Sequence, residues 1–162
     1  MTVQITVSGP RNGPQQDHDN AYAVGRLLAL AGAVVVTGGG PGVMEAACAG
    51  ARDAGGTTLG ILAAATPTEA NPYVDVVVPT GMGEGRNAIV VASGQAMIVV
   101  GGSWGTLSEV GLAMRRGIPV VTVGGWHLRG ADGQPLPDAP PTADTPQEAV
   151  DIVLAALRGK AG

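Results

Sequence analysis

Residues 33–54 read AVVVTGGGPGVMEAACAGARDA, and this stretch contains one complete strand–turn–helix unit. The run AVVVT at 33–37 has the length and the β-branched composition of a buried strand. The cluster GGGPG at 38–42 ends that run, and Pro41 suits the first position of a helix. The Ala-rich residues 43–54 follow without interruption. The stretch therefore predicts a strand, a tight glycine turn and a helix in direct succession.

The same alternation extends along the chain in both directions. Strands are predicted at residues 3–8, 33–37, 57–62, 73–79, 96–102 and 119–125. Helices are predicted from about Asp17 to Ala31, at 43–54 and 84–95, after Thr106, and at 145–159, where Thr145, Pro146 and Glu148 are start signals. The sequence TPTE at 66–69 predicts a short capped helix or turn, and the Gly/Pro/Asp-rich residues 126–144 predict a long loop.

This alternation indicates the fold class. Continuous apolar strands separated by helices are typical of a parallel sheet with helices on both faces. Right-handed crossovers then give a doubly wound, Rossmann-like α/β sheet. The 162 residues suit one domain, and no interdomain linker interrupts the pattern. We therefore expect residues 1–162 to form a single domain of this class.

Composition limits the classes of function. The formal net charge of −4 argues against a nucleic-acid partner and against an anionic membrane surface. The longest apolar runs have the length of strands, and no secretory leader is apparent, so we expect a cytoplasmic protein. The single cysteine, Cys48, is expected in the core, and with two histidines it does not supply the ligands of a zinc site. No metal and no other cofactor is predicted.

Two glycine clusters are the first candidates for a binding site. Residues 38–42 and 101–105 each follow a predicted strand and open a helix, where free backbone N–H groups and the helix dipole attract phosphate. One such cluster alone is explained equally well as a tight turn, whereas two at neighbouring strands favour an anionic ligand, such as a nucleotide. The dinucleotide fingerprint is incomplete because Val43 stands where its third glycine belongs.

Glu109 and Arg86 each admit two interpretations. The residues TLSE at 106–109 match a capping box with Thr106 at the N-cap and Glu109 three positions later, which requires no ligand. Alternatively, the Glu109 carboxylate acts on whatever the glycine loop holds. Arg86 opens the helix predicted at 84–95, where it is either solvated or forked onto a phosphate.

The quoted motifs resemble those of the LOG family of nucleotide phosphoribohydrolases. GGGPGVM at 38–44 is similar to the family's GGG-x-x-G-x-M turn, and VGGSWGTLSE at 100–109 is similar to its PGG-x-GT-x-x-E loop. The separation of Arg86 from Glu109 is similar to that of the family's catalytic arginine and glutamate. The resemblance covers about residues 3–125.

The resemblance implies a homodimer or a higher homo-oligomer that cleaves the N-glycosidic bond of a nucleoside 5′-monophosphate. It assigns catalysis to Arg86 and Glu109. It assigns the 5′-phosphate to Gly101, Gly102, Gly105 and Thr106. It assigns the rest of the nucleotide to Ser8, Gly39, Gly40, Met44 and Asn87.

Three departures from the family pattern leave a second hypothesis open. The family's Met-His-x-Arg-Lys stretch corresponds to Gly83–Asn87, so its histidine and lysine are absent. Its proline is replaced by Val100, and its first paired glutamate by Ser108. These features are similar to a divergent branch that includes molybdenum cofactor carrier proteins, which bind a pterin phosphate without converting it. Retention of Arg86 and Glu109 favours a hydrolase, and the lost residues favour a non-catalytic carrier of a small phosphorylated ligand.

Overall fold

Seven parallel strands form one sheet in a computed structural model that describes residues 1–160. The strands are β1 (Gln4–Ser8), β2 (Val34–Thr37), β3 (Thr58–Leu62), β4 (Val76–Pro79), β5 (Ala96–Val100), β6 (Val120–Val123) and β7 (Thr142–Ala143). Their order across the sheet is β4-β3-β2-β1-β5-β6-β7, and every pairing is parallel. This topology confirms the predicted doubly wound α/β class.

Helices cover both faces of the sheet. They are α1 (Gln15–Leu30), α2 (Val43–Asp53), α3 (Asn87–Ser93), α4 (Trp104–Arg115) and α5 (Pro146–Lys160), with 3-10 turns at Pro67–Glu69 and Gly83–Arg86. Helices α1, α2 and α5 pack on one face, and α3 and α4 pack on the other. Within the described residues, none of these helices has the length and hydropathy needed to cross a membrane.

Small residues allow α1 and α2 to pack with their backbones in contact. A Cβ on Gly25 would overlap the carbonyl oxygen of Ala47, and one on Gly50 would overlap that of Tyr22. The core beneath these helices is built from aliphatic side chains of the central strands, including the fully buried Ile5. This close approach explains how a chain without phenylalanine fills its interior.

The structure corrects the element predictions at three places. The predicted loop at 126–144 contains β7, which pairs with β6 and is too short for a periodicity signal. The helix predicted at 84–95 is a 3-10 turn followed by α3, which ends before Gly94. The turn at Pro67–Glu69 forms without a side-chain cap.

The strand order places the loops that matter at one edge of the sheet. Strand β1 is central, with β2 on one side and β5 on the other, so the direction of winding reverses beside it. The segments that follow these three strands therefore meet at their carboxyl ends. In open α/β sheets this switch point is where ligands bind.

Candidate functional site

A cavity of about 620 Å³ opens at this switch point. Its lining includes most of the site residues that the sequence predicted: Ser8, Gly40, Met44, Arg86, Asn87, Gly105, Thr106 and Glu109. The volume lies in the range typical of small-molecule sites, about 300–1,000 Å³. These residues come from four separate segments of the chain, and residues 62–64, which follow β3, add a fifth to a space large enough for a nucleotide-sized ligand.

Three predicted residues are located elsewhere. Gly101 and Gly102 line a second cavity, of about 150 Å³, which lies beneath the segment that follows β6. A Cβ on Gly102 would come within 2.9 Å of the Trp126 ring, so this glycine serves local packing. Gly39 lies behind the lining of the larger cavity, where a Cβ would overlap the Leu62 side chain.

The capping box predicted for α4 is wrong. The N-cap is Ser103, which has an extended backbone and whose side-chain oxygen accepts the N–H of Thr106 at 3.2 Å. Helix α4 therefore starts before Thr106, and Glu109 falls in its second turn, beyond reach of the cap. Serine is a stronger N-cap than threonine, and Ser103 satisfies the N–H three residues further along the chain. Glu109 consequently has no capping role.

The Glu109 side chain is directed at β1 and the cavity instead. It is only 9% exposed, and its Oε2 accepts a hydrogen bond from the Ser8 hydroxyl. Burial raises the pKa of Glu109 above its ordinary value, while the Ser8 hydrogen bond and the Arg86 charge act in the opposite direction. Glu109 is therefore a desolvated carboxyl group that holds its proton more tightly than a surface glutamate.

Arg86 reaches the same cavity from the 3-10 turn before α3. Its Nη1 donates to the carbonyl oxygen of Ile61 at 3.2 Å, and its Nε is buried with no hydrogen-bond acceptor among the described residues. A Cβ on Gly38 would overlap the guanidinium, so glycine is needed there to make room for it. Burial lowers the pKa of Arg86, the Glu109 charge raises it, and the Arg11 charge lowers it again.

Arg11 is a cavity residue that the sequence interpretation did not select. It belongs to the loop SGPRNG at 8–13, and its guanidinium lies beside Gly40. The available signal was a cation within a glycine- and proline-containing loop that directly follows the central strand.

Asn71 also escaped the sequence interpretation. It is 8% exposed, and its Nδ2 donates to the carbonyl oxygens of Gly39 at 3.2 Å and Gly40 at 2.9 Å. Its backbone N–H donates to Gly39 as well, and its Oδ1 accepts from the N–H of Tyr73. Asn71 therefore holds the glycine turn after β2 from a distant segment, and no motif in the sequence marks that role.

Two tryptophans meet beside the smaller cavity. The rings of Trp104 and Trp126 are 5.0 Å apart between centroids and cross at 70° in an edge-to-face arrangement. Trp104 is 79% exposed, and it does not line either cavity among the described residues. Asn87, by contrast, is held in the larger cavity's wall, because its Nδ2 donates to Ser108 at 3.0 Å.

Comparison with known proteins extends this description. The model of the SLOG cluster4 family matches residues 2–150. The chain belongs to the SLOG cluster4 family. An uncharacterized protein of Archaeoglobus fulgidus is 39% identical over 121 residues, which are 75% of this chain and 80% of that protein. The LOG-family assignment itself stays a prediction.

Solved structures similar to this SLOG protein include two that concern the molybdenum cofactor. The molybdenum cofactor binding protein of Rippkaea orientalis is 32% identical, with a TM-score of 0.86 over 97% of this chain and 98% of that one. The molybdenum cofactor carrier protein of Chlamydomonas reinhardtii is 29% identical, with a TM-score of 0.84 over 98% and 99%. The predicted similarity to this carrier branch is confirmed at the level of the whole chain.

A DNA-processing protein shares the fold alone. DNA processing protein A of Streptococcus pneumoniae is 21% identical to this SLOG protein, with a TM-score of 0.72 over 95% of this chain and 61% of that chain. At this level of sequence identity, the similarity shows the fold and does not indicate a shared ligand. The expectation of no nucleic-acid partner therefore stays a prediction.

Proposed function

We propose that this protein binds and carries a small phosphorylated molecule of the molybdenum cofactor class, and that it does so without converting it. Two lines of support combine. The cofactor-binding proteins of Rippkaea orientalis and Chlamydomonas reinhardtii align with almost the entire chain. The cavity at the switch point has the volume and the polar lining that such a ligand requires.

The observation that carries the proposal is the state of the Arg86 guanidinium. Its buried Nε–H has no acceptor among the described residues, although a buried donor without a partner costs about 1–3 kcal/mol. The guanidinium also lines the cavity, where an anionic ligand would accept from its N–H groups. Arginine suits this task because its fork of N–H groups matches phosphate geometry.

The absence of turnover is supported by the groups around Arg86. Glu84 and Asn87 stand where the resemblance to the LOG family expects a histidine and a lysine, so neither of those two family residues is present. The Asn87 amide already donates to Ser108.

A second candidate function is hydrolysis of the N-glycosidic bond of a nucleoside 5′-monophosphate. It is favoured by one observation, namely that Arg86 and Glu109 line the same cavity. In that reaction Arg86 would bind the anionic part of the nucleotide. An ionised Glu109, held by the Ser8 hydroxyl, would stabilise the developing positive charge on the ribose or activate water.

One experiment separates the two candidates. The protein is incubated with AMP and with an N6-substituted AMP, and free base is measured by chromatography, with Glu109→Gln as the control. The carrier proposal predicts no base release above the rate of the variant. Release by the wild type that is lost in Glu109→Gln would overturn the carrier proposal and establish the hydrolase.

The homodimer or higher homo-oligomer expected from the resemblance is part of the same proposal. The exposed Trp104 at the start of α4 is a surface that a second copy could cover. Sedimentation of the protein as a monomer at micromolar concentration would remove this expectation without affecting the cavity.

A further inference from the structure

Arg11 and Arg86 are two cations that face one cavity without carboxylate partners. Among residues 1–160 the ion pair within 4.0 Å is that of Arg52 with Asp75, and neither cavity arginine takes part in one. Burial lowers the pKa of Arg86, the Glu109 charge raises it, and the Arg11 charge lowers it again, so the two arginines are close enough to repel each other. Like charges brought together at a cavity wall are unfavourable unless an anion lies between them.

Both guanidiniums lie against the same glycine turn. The Arg86 guanidinium occupies the space that a Cβ of Gly38 would need, and Nη2 of Arg11 lies 3.5 Å from the position that a Cβ of Gly40 would take. The turn is fixed by Asn71, which donates to Gly40, and by Thr37, which accepts the N–H of Gly39 at 3.0 Å. The two arginines thus lie against a backbone turn that these hydrogen bonds hold in place.

Three carboxyl groups also line the cavity, and none of them forms an ion pair with either arginine among the described residues. Glu109 accepts a hydrogen bond from Ser8, and its charge raises the pKa of Arg86, but it forms no ion pair within 4.0 Å with either arginine. Glu69 and Glu84 also line the cavity, but both are exposed side chains at its rim and make no ion pair among the described residues. Neither guanidinium is therefore held by a carboxylate at ion-pair distance, and both lie beside the turn after β2 with N–H groups that an anion can accept.

We propose that Arg11 and Arg86 form a binding site for a tetrahedral oxyanion above the turn Gly38–Gly40. This site is separate from the Ser103–Thr106 segment of α4, which lines another part of the cavity. The ligand that fits the whole cavity carries one oxyanion at the arginine pair and a second polar or anionic group at α4. Arg11 is the residue that selects for the first of these groups. The inference rests on the proposed function for its assumption that the cavity holds a phosphorylated ligand.

Isothermal titration with inorganic phosphate and, separately, with molybdate tests the site. We expect the wild type to bind one tetrahedral anion, with affinity that falls as salt rises. Arg11→Gln should weaken binding about 10- to 100-fold, since a hydrogen bond to a charged group contributes about 1.5–3 kcal/mol. Arg11→Lys should recover only part of the loss, because lysine lacks the guanidinium fork. A preference for phosphate or for molybdate identifies which oxyanion occupies the pair.

The matched control is Arg26→Gln, which removes an exposed arginine of α1 that does not line the cavity. It changes net charge equally and should leave anion affinity within twofold of the wild type. Equal weakening in both variants, or anion binding by Arg11→Gln at wild-type affinity, would overturn the proposal. Near-UV circular dichroism verifies that each variant is folded.

A parallel measurement keeps this site distinct from the proposed function. Retention of molybdenum cofactor through a desalting column is measured for the wild type and Arg11→Gln. Arg11-dependent anion binding without cofactor retention would support the oxyanion site and refute the carrier function. Equal retention by both proteins would refute the oxyanion site and leave the carrier function standing.

Discussion

Replacing Asn71 by alanine removes the side chain that holds the glycine turn of the cavity. In the native protein this side chain makes three hydrogen bonds: Nδ2 to the carbonyl oxygens of Gly39 at 3.2 Å and Gly40 at 2.9 Å, and Oδ1 from the N–H of Tyr73 at 3.0 Å. The Gly39 oxygen keeps the backbone N–H of residue 71 at 2.8 Å. Without that side chain, the Gly40 carbonyl oxygen and the Tyr73 N–H lose these hydrogen-bond partners.

The magnitude follows from these bonds. A protein hydrogen bond contributes about 0.5–1.5 kcal/mol net, and a buried polar group left unpaired costs about 1–3 kcal/mol. With Asn71 8% exposed, we expect Asn71→Ala to lower the free energy of unfolding by about 2–4 kcal/mol. At about 2 kcal/mol per molar urea, the midpoint of unfolding falls by about 1–2 M.

The assay is equilibrium unfolding in urea, followed by circular dichroism. Asn20→Ala is the matched control, because the Asn20 side chain makes one exposed hydrogen bond, from Gln16 within α1. Its effect should stay within about 0.5 kcal/mol. If Asn71→Ala unfolds at the same urea concentration as Asn20→Ala, the turn does not depend on Asn71, and its assigned role is wrong.

Two further predictions concern Glu109 and the glycines of the helices. Because burial raises the pKa of Glu109, the free energy of unfolding of the wild type falls as pH rises through that raised pKa, whereas Glu109→Gln shows no such fall. The variant should therefore gain stability relative to the wild type between pH 4 and pH 8. Parallel curves of stability against pH, measured by urea unfolding, would contradict this. Gly25→Ala should destabilise the protein by at least about 1–3 kcal/mol, because its Cβ would overlap the Ala47 carbonyl oxygen. Gly111→Ala should stabilise it by about 0.5–1 kcal/mol, because a Cβ there enters open space on α4. Thermal unfolding measures both, and equal shifts in the two variants would refute the packing argument.

The fold was predictable because its signals are local. Buried parallel strands appear as uninterrupted apolar runs such as residues 96–100, and the glycines after them mark the carboxyl edge of the sheet. Strand β7 was not predictable, because a two-residue strand has no period and exists only through its pairing with β6. The N-cap of α4 was misplaced because Ser103 and Thr106 are both acceptable caps.

The site was predictable only in part, for a related reason. Residues carried by motifs, such as Gly40 and Arg86, lie at the cavity because their turns follow central strands. Asn71 holds a turn that is more than thirty residues away in the chain, so its role depends on the tertiary fold. Gly102 shows the opposite error, since a glycine in a motif-like cluster makes room for the Trp126 ring rather than for a ligand.

Retention of molybdenum cofactor by the wild type and by Arg86→Gln tests the central claim most directly. Each protein is mixed with the cofactor and desalted, and molybdenum is measured per chain together with pterin fluorescence. The account predicts about one cofactor per wild-type chain. It predicts that retention falls about tenfold or more in Arg86→Gln, because glutamine lacks the guanidinium that binds the anion. Equal retention by the two proteins, or none by a folded wild type, would contradict the assignment of this cavity as a carrier site.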